Sequence, residues 1–125
     1  MGKEYNILLV DDDNYSKYIL QHHLKRMGIT RFTEANDGES ALAKLNGEPF
    51  DLIIADRYMP GMEGIEFFSR LQANDALKNI PFLMITMESD GVKIQEASDA
   101  GVEHYLVKPI DAESFETIVK KLLGQ

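Results

Sequence analysis

The chain has 125 residues, enough for one domain and too few for two of ordinary size. It carries 44% hydrophobic and 27% charged residues, and its 21 acidic against 13 basic side chains leave a net charge of −8, which disfavours sequence-independent binding to phosphate backbones or anionic lipid. The absence of cysteine excludes a disulfide framework, thiolate zinc sites and cysteine nucleophiles. The polar start, Met1 to Asn6, lacks the apolar core of a secretory signal, and no apolar stretch approaches the roughly 20 residues that span a bilayer. The expected location is cytoplasmic, with no membrane partner.

Five short apolar runs alternate with amphipathic segments. The first, Ile7-Leu8-Leu9-Val10, is followed by a helix that places Leu20, Leu24 and Met27 on one stripe and stops at Gly28. His23 lies on that stripe and reads as a packing residue, and the adjacent His22 faces elsewhere, so the two cannot chelate as an i, i+4 pair. A shorter run, Phe32 to Ala35, leads to a helix capped by Asp37, carrying Ala41, Leu42 and Leu45, and ending at Asn46-Gly47. Leu52-Ile53-Ile54-Ala55 precedes a helix that starts near Glu63 with Ile65, Phe68 and Leu71 on its apolar face. Phe82-Leu83-Met84-Ile85 precedes the weakest helix, about Gly91 to Ala100, whose apolar face is Ile94 and Ala97. Tyr105-Leu106-Val107 precedes the clearest one, capped by Asp111, with Phe115, Ile118, Val119, Leu122 and Leu123 at helical spacing.

Runs of this length without polar alternation predict strands buried on both faces, as in a parallel sheet covered by helices. Five strand–helix units predict an open, doubly wound α/β fold occupying residues 1–125 as one domain. In such sheets the site lies beyond the carboxyl ends of the strands, where the strand order reverses. The residues there are Asp11-Asp12-Asp13 after the first run, Asp56 after the third, Thr86 after the fourth and Lys108-Pro109 after the fifth.

Two carboxylates about 4 Å apart repel by roughly 4 kcal/mol at an effective dielectric near 20. A cluster of three or four therefore takes up protons or a divalent cation, and hard oxygen ligands with open positions suit Mg²⁺. A carboxylate can also accept a phosphoryl group covalently, a transfer that needs charge neutralisation more than acid–base chemistry. A cation, the Lys108 ammonium and the Thr86 hydroxyl offer that neutralisation.

The set Leu9-Val10-Asp11-Asp12, Asp56-Arg57-Tyr58-Met59-Pro60-Gly61-Met62-Glu63-Gly64, Ile85-Thr86 and Lys108-Pro109, in this order and spacing, resembles the receiver domains of two-component response regulators over essentially the whole chain. The resemblance implies a five-stranded parallel sheet in the flavodoxin-like order 2-1-3-4-5, which the doubly wound rule itself illustrates with this family. It implies a phosphorylation-dependent switch in which Asp56 takes a phosphoryl group from a phosphohistidine of a sensor histidine kinase or histidine phosphotransfer protein. Asp12 would hold Mg²⁺ directly, Asp11 through water, with Asp56 and the Tyr58 backbone carbonyl completing the protein ligands. Lys108, beside a cis Lys108-Pro109 peptide, would bind a phosphoryl oxygen. Thr86 would move to the phosphoryl group and Tyr105 would turn inward behind it. That movement would remodel the fourth helix, fifth strand and fifth helix for a downstream protein effector. The chain would act as a monomer or a phosphorylation-dependent dimer, without direct nucleic-acid binding, and would catalyse only its own phosphorylation and dephosphorylation.

Two alternatives stand beside this reading: a degenerate receiver acting as a constitutive protein-interaction module, and a Mg²⁺-dependent phosphohydrolase built on Asp11 and Asp13. A calcium loop starting at Asp11 is rejected, because its sixth position is not Gly and its twelfth is His22. Asp13 is a third acid at the same edge and a candidate N-cap for the first helix. Tyr58, Met87 and Glu88 fall where the family tunes phosphoryl lifetime, and Met87 stands where the family usually has a small residue. Met87 is expected to obstruct access to Asp56. Met87→Ala should therefore gain and lose phosphoryl faster than wild type in a small-phosphodonor time course; equal or slower phosphorylation refutes the obstruction.

Overall fold

The computed structural model describes residues 4–87 and 90–125. Five strands, β1 (Asn6–Val10), β2 (Arg31–Ala35), β3 (Leu52–Asp56), β4 (Phe82–Thr86) and β5 (Tyr105–Val107), form one parallel sheet in the order β2-β1-β3-β4-β5. The helices α1 (Asn14–Arg26), α2 (Gly38–Leu45), α3 (Gly64–Gln72), α4 (Gly91–Asp99) and α5 (Ala112–Leu122) alternate with them. The expected doubly wound order is the observed one.

Successive strand residues point to opposite faces, so each apolar run feeds two cores. Leu8, Val10, Ile53, Ala55 and Met84 pack with Ala41, Leu45, Phe67 and Ala97 from α2, α3 and α4. Ile7, Leu9, Leu52, Ile54 and Ile85 pack with Leu20, Leu24, Phe115 and Val119 from α1 and α5. His23 joins this second face, its ring centroid 5.6 Å from that of Phe115, and burial holds its pKa below the usual histidine value.

Four of the five helices begin where a side chain replaces missing intrahelical partners, α3 being the exception. Asp13, Asp37, Asp90 and Asp111 accept backbone N–H bonds at the starts of α1, α2, α4 and α5. α3 departs from the sequence expectation: its most buried aromatic is Phe67, absent from the anticipated Ile65/Phe68/Leu71 stripe, and Ile65 is only half-buried. In α4 only Ala97 is buried, and Ile94, expected on its apolar face, is exposed. This helix is the least anchored to the core.

Gly64 is what brings α3 to the end of β3. A Cβ there would sit 2.6 Å from the Asp56 carbonyl oxygen and 2.8 Å from the Arg57 Cα, both backbone atoms that cannot swing aside. Its N–H donates to the Arg57 carbonyl at 2.6 Å. Gly64→Ala should destabilise the protein by about 2 kcal/mol through forced backbone displacement, read as a lower denaturation midpoint with an unchanged m-value.

Candidate functional site

The site is a carboxylate cluster at the carboxyl ends of β1 and β3, the adjacent strands from which the chain leaves to opposite sides. Asp11 follows β1, its N–H donating to the Ala35 carbonyl at 3.0 Å, and its side chain is buried. Asp56 ends β3, and the next N–H, of Arg57, continues the ladder to the Ile85 carbonyl at 2.9 Å. Alternation places Asp56 on the same sheet face as Leu52 and Ile54, toward α1 and α5. Asp12 is exposed at the mouth. One carboxylate oxygen from each of Asp11, Asp12 and Asp56 lies within 4.8 Å of the others.

Lys108 closes the cluster from the β5 side. Its Nζ lies 3.4 Å from Asp11 Oδ2 and 3.5 Å from Asp56 Oδ1, and it donates to Ser16 Oγ at 3.1 Å. Its own N–H donates to the Thr86 carbonyl at 2.7 Å, and the Lys108-Pro109 peptide is cis as expected. One ammonium does not neutralise three acids. Burial first, then the charge of Asp11, raises the Asp56 pKa to about 6 against the opposing pull of Lys108. Burial likewise raises Asp11, opposed by the Asp13 N–H and Lys108. Such a donor set, all hard oxygens and electrostatically underpaired, fits a divalent cation of the Mg²⁺ kind.

Asp13 does not join the cluster and is instead the N-cap that the sequence allowed. It turns to α1, where the Tyr15 and Ser16 N–H groups each donate to it at 3.3 Å and Ser16 Oγ at 2.8 Å. Thr86 is fully buried at the end of β4. Tyr105 is half-buried, its hydroxyl accepting a bond from Arg57 Nη1 at 3.3 Å. Tyr58 is exposed, with the Arg57 guanidinium 5.5 Å from its ring centroid. Met87 is 80% exposed and lines, with Tyr15, Ile19, Lys108 and Pro109, an apolar cleft of ≈ 580 Å³ beside the site. Glu88 lies outside the described residues.

Sequence reasoning missed two buried cations. Lys17, 2% exposed, bonds to Asn36 Oδ1 and lies 3.7 Å from Glu34. Arg57, 3% exposed, reaches α4 rather than the acids. The signal for Arg57 was its position: one residue beyond Asp56, strand alternation directs it to the other face.

A five-stranded parallel sheet in this order, with three acids and a lysine gathered at its switch point, defines a phosphoacceptor-type α/β domain. The chain matches the response regulator receiver domain family over residues 7–120. It is 38% identical over 122 residues to chemotaxis protein CheY-3 of Vibrio cholerae, covering 98% of this chain and 94% of that protein. It is 39% identical over 116 residues to chemotaxis protein CheY of Pseudomonas aeruginosa, covering 93% of this chain and 94% of that protein. The solved structure of the chemotaxis response regulator CheY4 of Vibrio cholerae superposes with a TM-score of 0.86 at 34% identity, over 97% of this chain and all of that one. The chain belongs to the response regulator receiver domain family, and it is a phosphorylation-dependent signalling switch rather than a classical enzyme. No helix among the described residues is long and apolar enough to cross a membrane.

The raised Asp56 pKa is also a statement about stability. The unfolded chain ionises Asp56 near the ordinary value of 3.8, the folded chain near 6, so the folded state holds the extra proton between them and loses stability as pH rises through that window. At pH 7 and without added metal, Asp56→Asn should be more stable than wild type by about 2 kcal/mol. Calorimetry should show a higher Tm for the variant in chelator, with the gap narrowing when Mg²⁺ is added, because binding stabilises wild type selectively.

Proposed function

We propose that Asp56 is the phosphoacceptor, that Asp11, Asp12 and the Tyr58 carbonyl hold Mg²⁺ beside it, and that Lys108 and Thr86 serve the transferred phosphoryl group. The observation that carries this reading is the Lys108 ammonium lying within 3.5 Å of both Asp11 and Asp56, inside a cluster whose remaining charge is negative. The donor is a phosphohistidine on a histidine kinase or phosphotransfer protein, and the output is a contact with a downstream protein.

An Asp56 carboxylate oxygen attacks phosphorus in line, forming the O–P bond as the P–N bond to the donor imidazole breaks, with the electron pair returning to the ring nitrogen. Mg²⁺, when bound, neutralises charge on the phosphoryl oxygens. Lys108 has three donors and exchanges part of its pairing with Asp56 for a phosphoryl oxygen. The Thr86 hydroxyl donates to another, and its movement frees the room into which Tyr105 turns. Tyr58, exposed beside the cluster, and Glu88 set the access of hydrolytic water, while Met87 narrows the approach from the cleft at Lys108. The domain, residues 1–125, thus catalyses only its own phosphorylation and dephosphorylation.

Intact-mass analysis after incubation with a small phosphodonor tests this. Wild type should gain one phosphoryl group with Mg²⁺ and none in chelator, and Asp56→Asn should gain none under either condition. Lys108→Met should fall by about 100-fold or more in rate, the scale of losing one preorganised cation at the reacting group. An adduct that persists in Asp56→Asn moves the acceptor elsewhere, and steady phosphate release from an unrelated ester makes the protein a hydrolase.

A further inference from the structure

Asp56 and Arg57 are consecutive, and alternation sends them to opposite faces of the sheet: Asp56 into the acid cluster, Arg57 toward α4. The Arg57 backbone has little freedom. Its N–H is bound to Ile85 and its carbonyl to Gly64, whose missing side chain permits the close approach. From this fixed base the guanidinium, 3% exposed, donates from Nη1 to the Lys93 carbonyl in the first turn of α4 and to the Tyr105 hydroxyl at 3.3 Å, and from Nη2 to Glu96 Oε1 at 3.1 Å. All three acceptors belong to α4 and β5.

The rest of α4 offers little competition. Ala97 is its one buried residue among those described, and Val92 and Ile94 are exposed. A helix so lightly packed is free to move unless something else fixes it, and the buried guanidinium does. If α4 shifts, Arg57 either travels with it against its bound backbone or loses partners while still buried. An unpaired buried cation is disfavoured strongly enough to make intermediate positions scarce. The attachment therefore favours two discrete arrangements of α4 over a continuum.

We propose that Arg57 is a positioning residue that latches α4 and Tyr105 to the end of β3 in the arrangement where Asp56 is paired with Lys108, and so sets how strongly a phosphoryl group must bind to switch the domain. The proposal rests on Asp56 being the phosphoacceptor. Lysine could not replace this arginine fully, since its ammonium offers donors from one point and not from a planar fork that reaches three acceptors on two elements. By linkage, a latch that favours one arrangement weakens every ligand that favours the other, and its removal strengthens them equally.

The test compares wild type, Arg57→Met, Arg57→Lys and Glu96→Ala by titration with beryllofluoride plus Mg²⁺, a tetrahedral phosphoryl-like probe, and by amide hydrogen exchange without the probe. Arg57→Met should bind the probe about fivefold tighter or more, the lower end of ordinary coupling between sites. Its Gly91–Asp99 amides should exchange about tenfold faster as α4 is released. Arg57→Lys should fall between it and wild type. Glu96→Ala, at a half-exposed position that leaves the core intact, should move both readouts in the same direction by about twofold, and it decides the matter if Arg57→Met does not fold. Mere structural damage weakens the probe, so tighter binding is the signature of a latch. Unchanged or weaker binding in a folded Arg57→Met or in Glu96→Ala, with wild type binding normally, overturns the latch alone. A wild type that binds no probe overturns the phosphoacceptor reading and the coupling with it.

Discussion

Three carboxylates held within reach of one cation site are a standing electrostatic load, and among the described residues Lys108 is the ammonium that bears on it directly from inside. It does so incompletely. The Asp56 pKa, raised to about 6, records charge that the fold tolerates without satisfying. That deficit is the useful property of the site. A cluster fully neutralised by its own side chains would have nothing to gain from a divalent cation or from the redistribution of charge that accompanies phosphoryl transfer. The rest of the molecule is arranged so that this unfavourable cluster cannot relax: two apolar cores clamp β1 and β3, and Gly64 brings α3 against the backbone of residues 56 and 57.

The sheet also explains why the load falls where it does. In a parallel sheet every strand ends at the same edge, so residues as distant in sequence as Asp11, Asp56 and Lys108 arrive together without any local motif to join them. The helix caps operate at this edge too. Asp13 is adjacent to the cluster in sequence yet serves α1, because the N–H groups of Tyr15 and Ser16 offer its carboxylate what the cluster does not. Of three consecutive aspartates, one is buried against Lys108, one is exposed at the mouth and one caps a helix.

Much of this was legible in the amino-acid order. Apolar runs with no polar alternation announce strands covered on both faces, and the residue after each run names the edge, so Asp11, Asp56, Thr86 and Lys108 were readable before any coordinates. Cap and helix periods located all five helices. What the sequence did not disclose has physical reasons. Phe67 was missed because three positions spaced evenly along α3 described a stripe while the buried face is wider, taking in Phe67 beside Phe68. Ile94 was placed inward because an apolar residue on a weak helix was assumed to face the core; α4 instead leaves it in solvent. Arg57 and Lys17 went unassigned, since a lone basic residue in sequence carries no sign of the acceptors that bury it, and those acceptors lie on α4, β5 and β2.

Under the proposed latch, Arg57 carries a charge event on one face of the sheet to the other. A strand cannot pass a signal through its hydrophobic interior, because both cores are close-packed and offer no second arrangement at small cost. Its end is different. Beyond Asp56 the chain still holds the strand's alternation but no longer has a full ladder on either side, so a change at residue 56 acts on residue 57 through one peptide unit. Thr86 at the neighbouring strand end and Tyr105 at the start of β5 share with Arg57 the α4 side of the sheet, as the parity of Met84 with Thr86 and of Ala55 with Arg57 requires. The acidic cluster and these three side chains are therefore on opposite faces of the sheet and meet at its carboxyl edge. That geometry lets the site stay fixed by two cores while α4, anchored by Ala97 and a buried guanidinium, remains the element with freedom to respond.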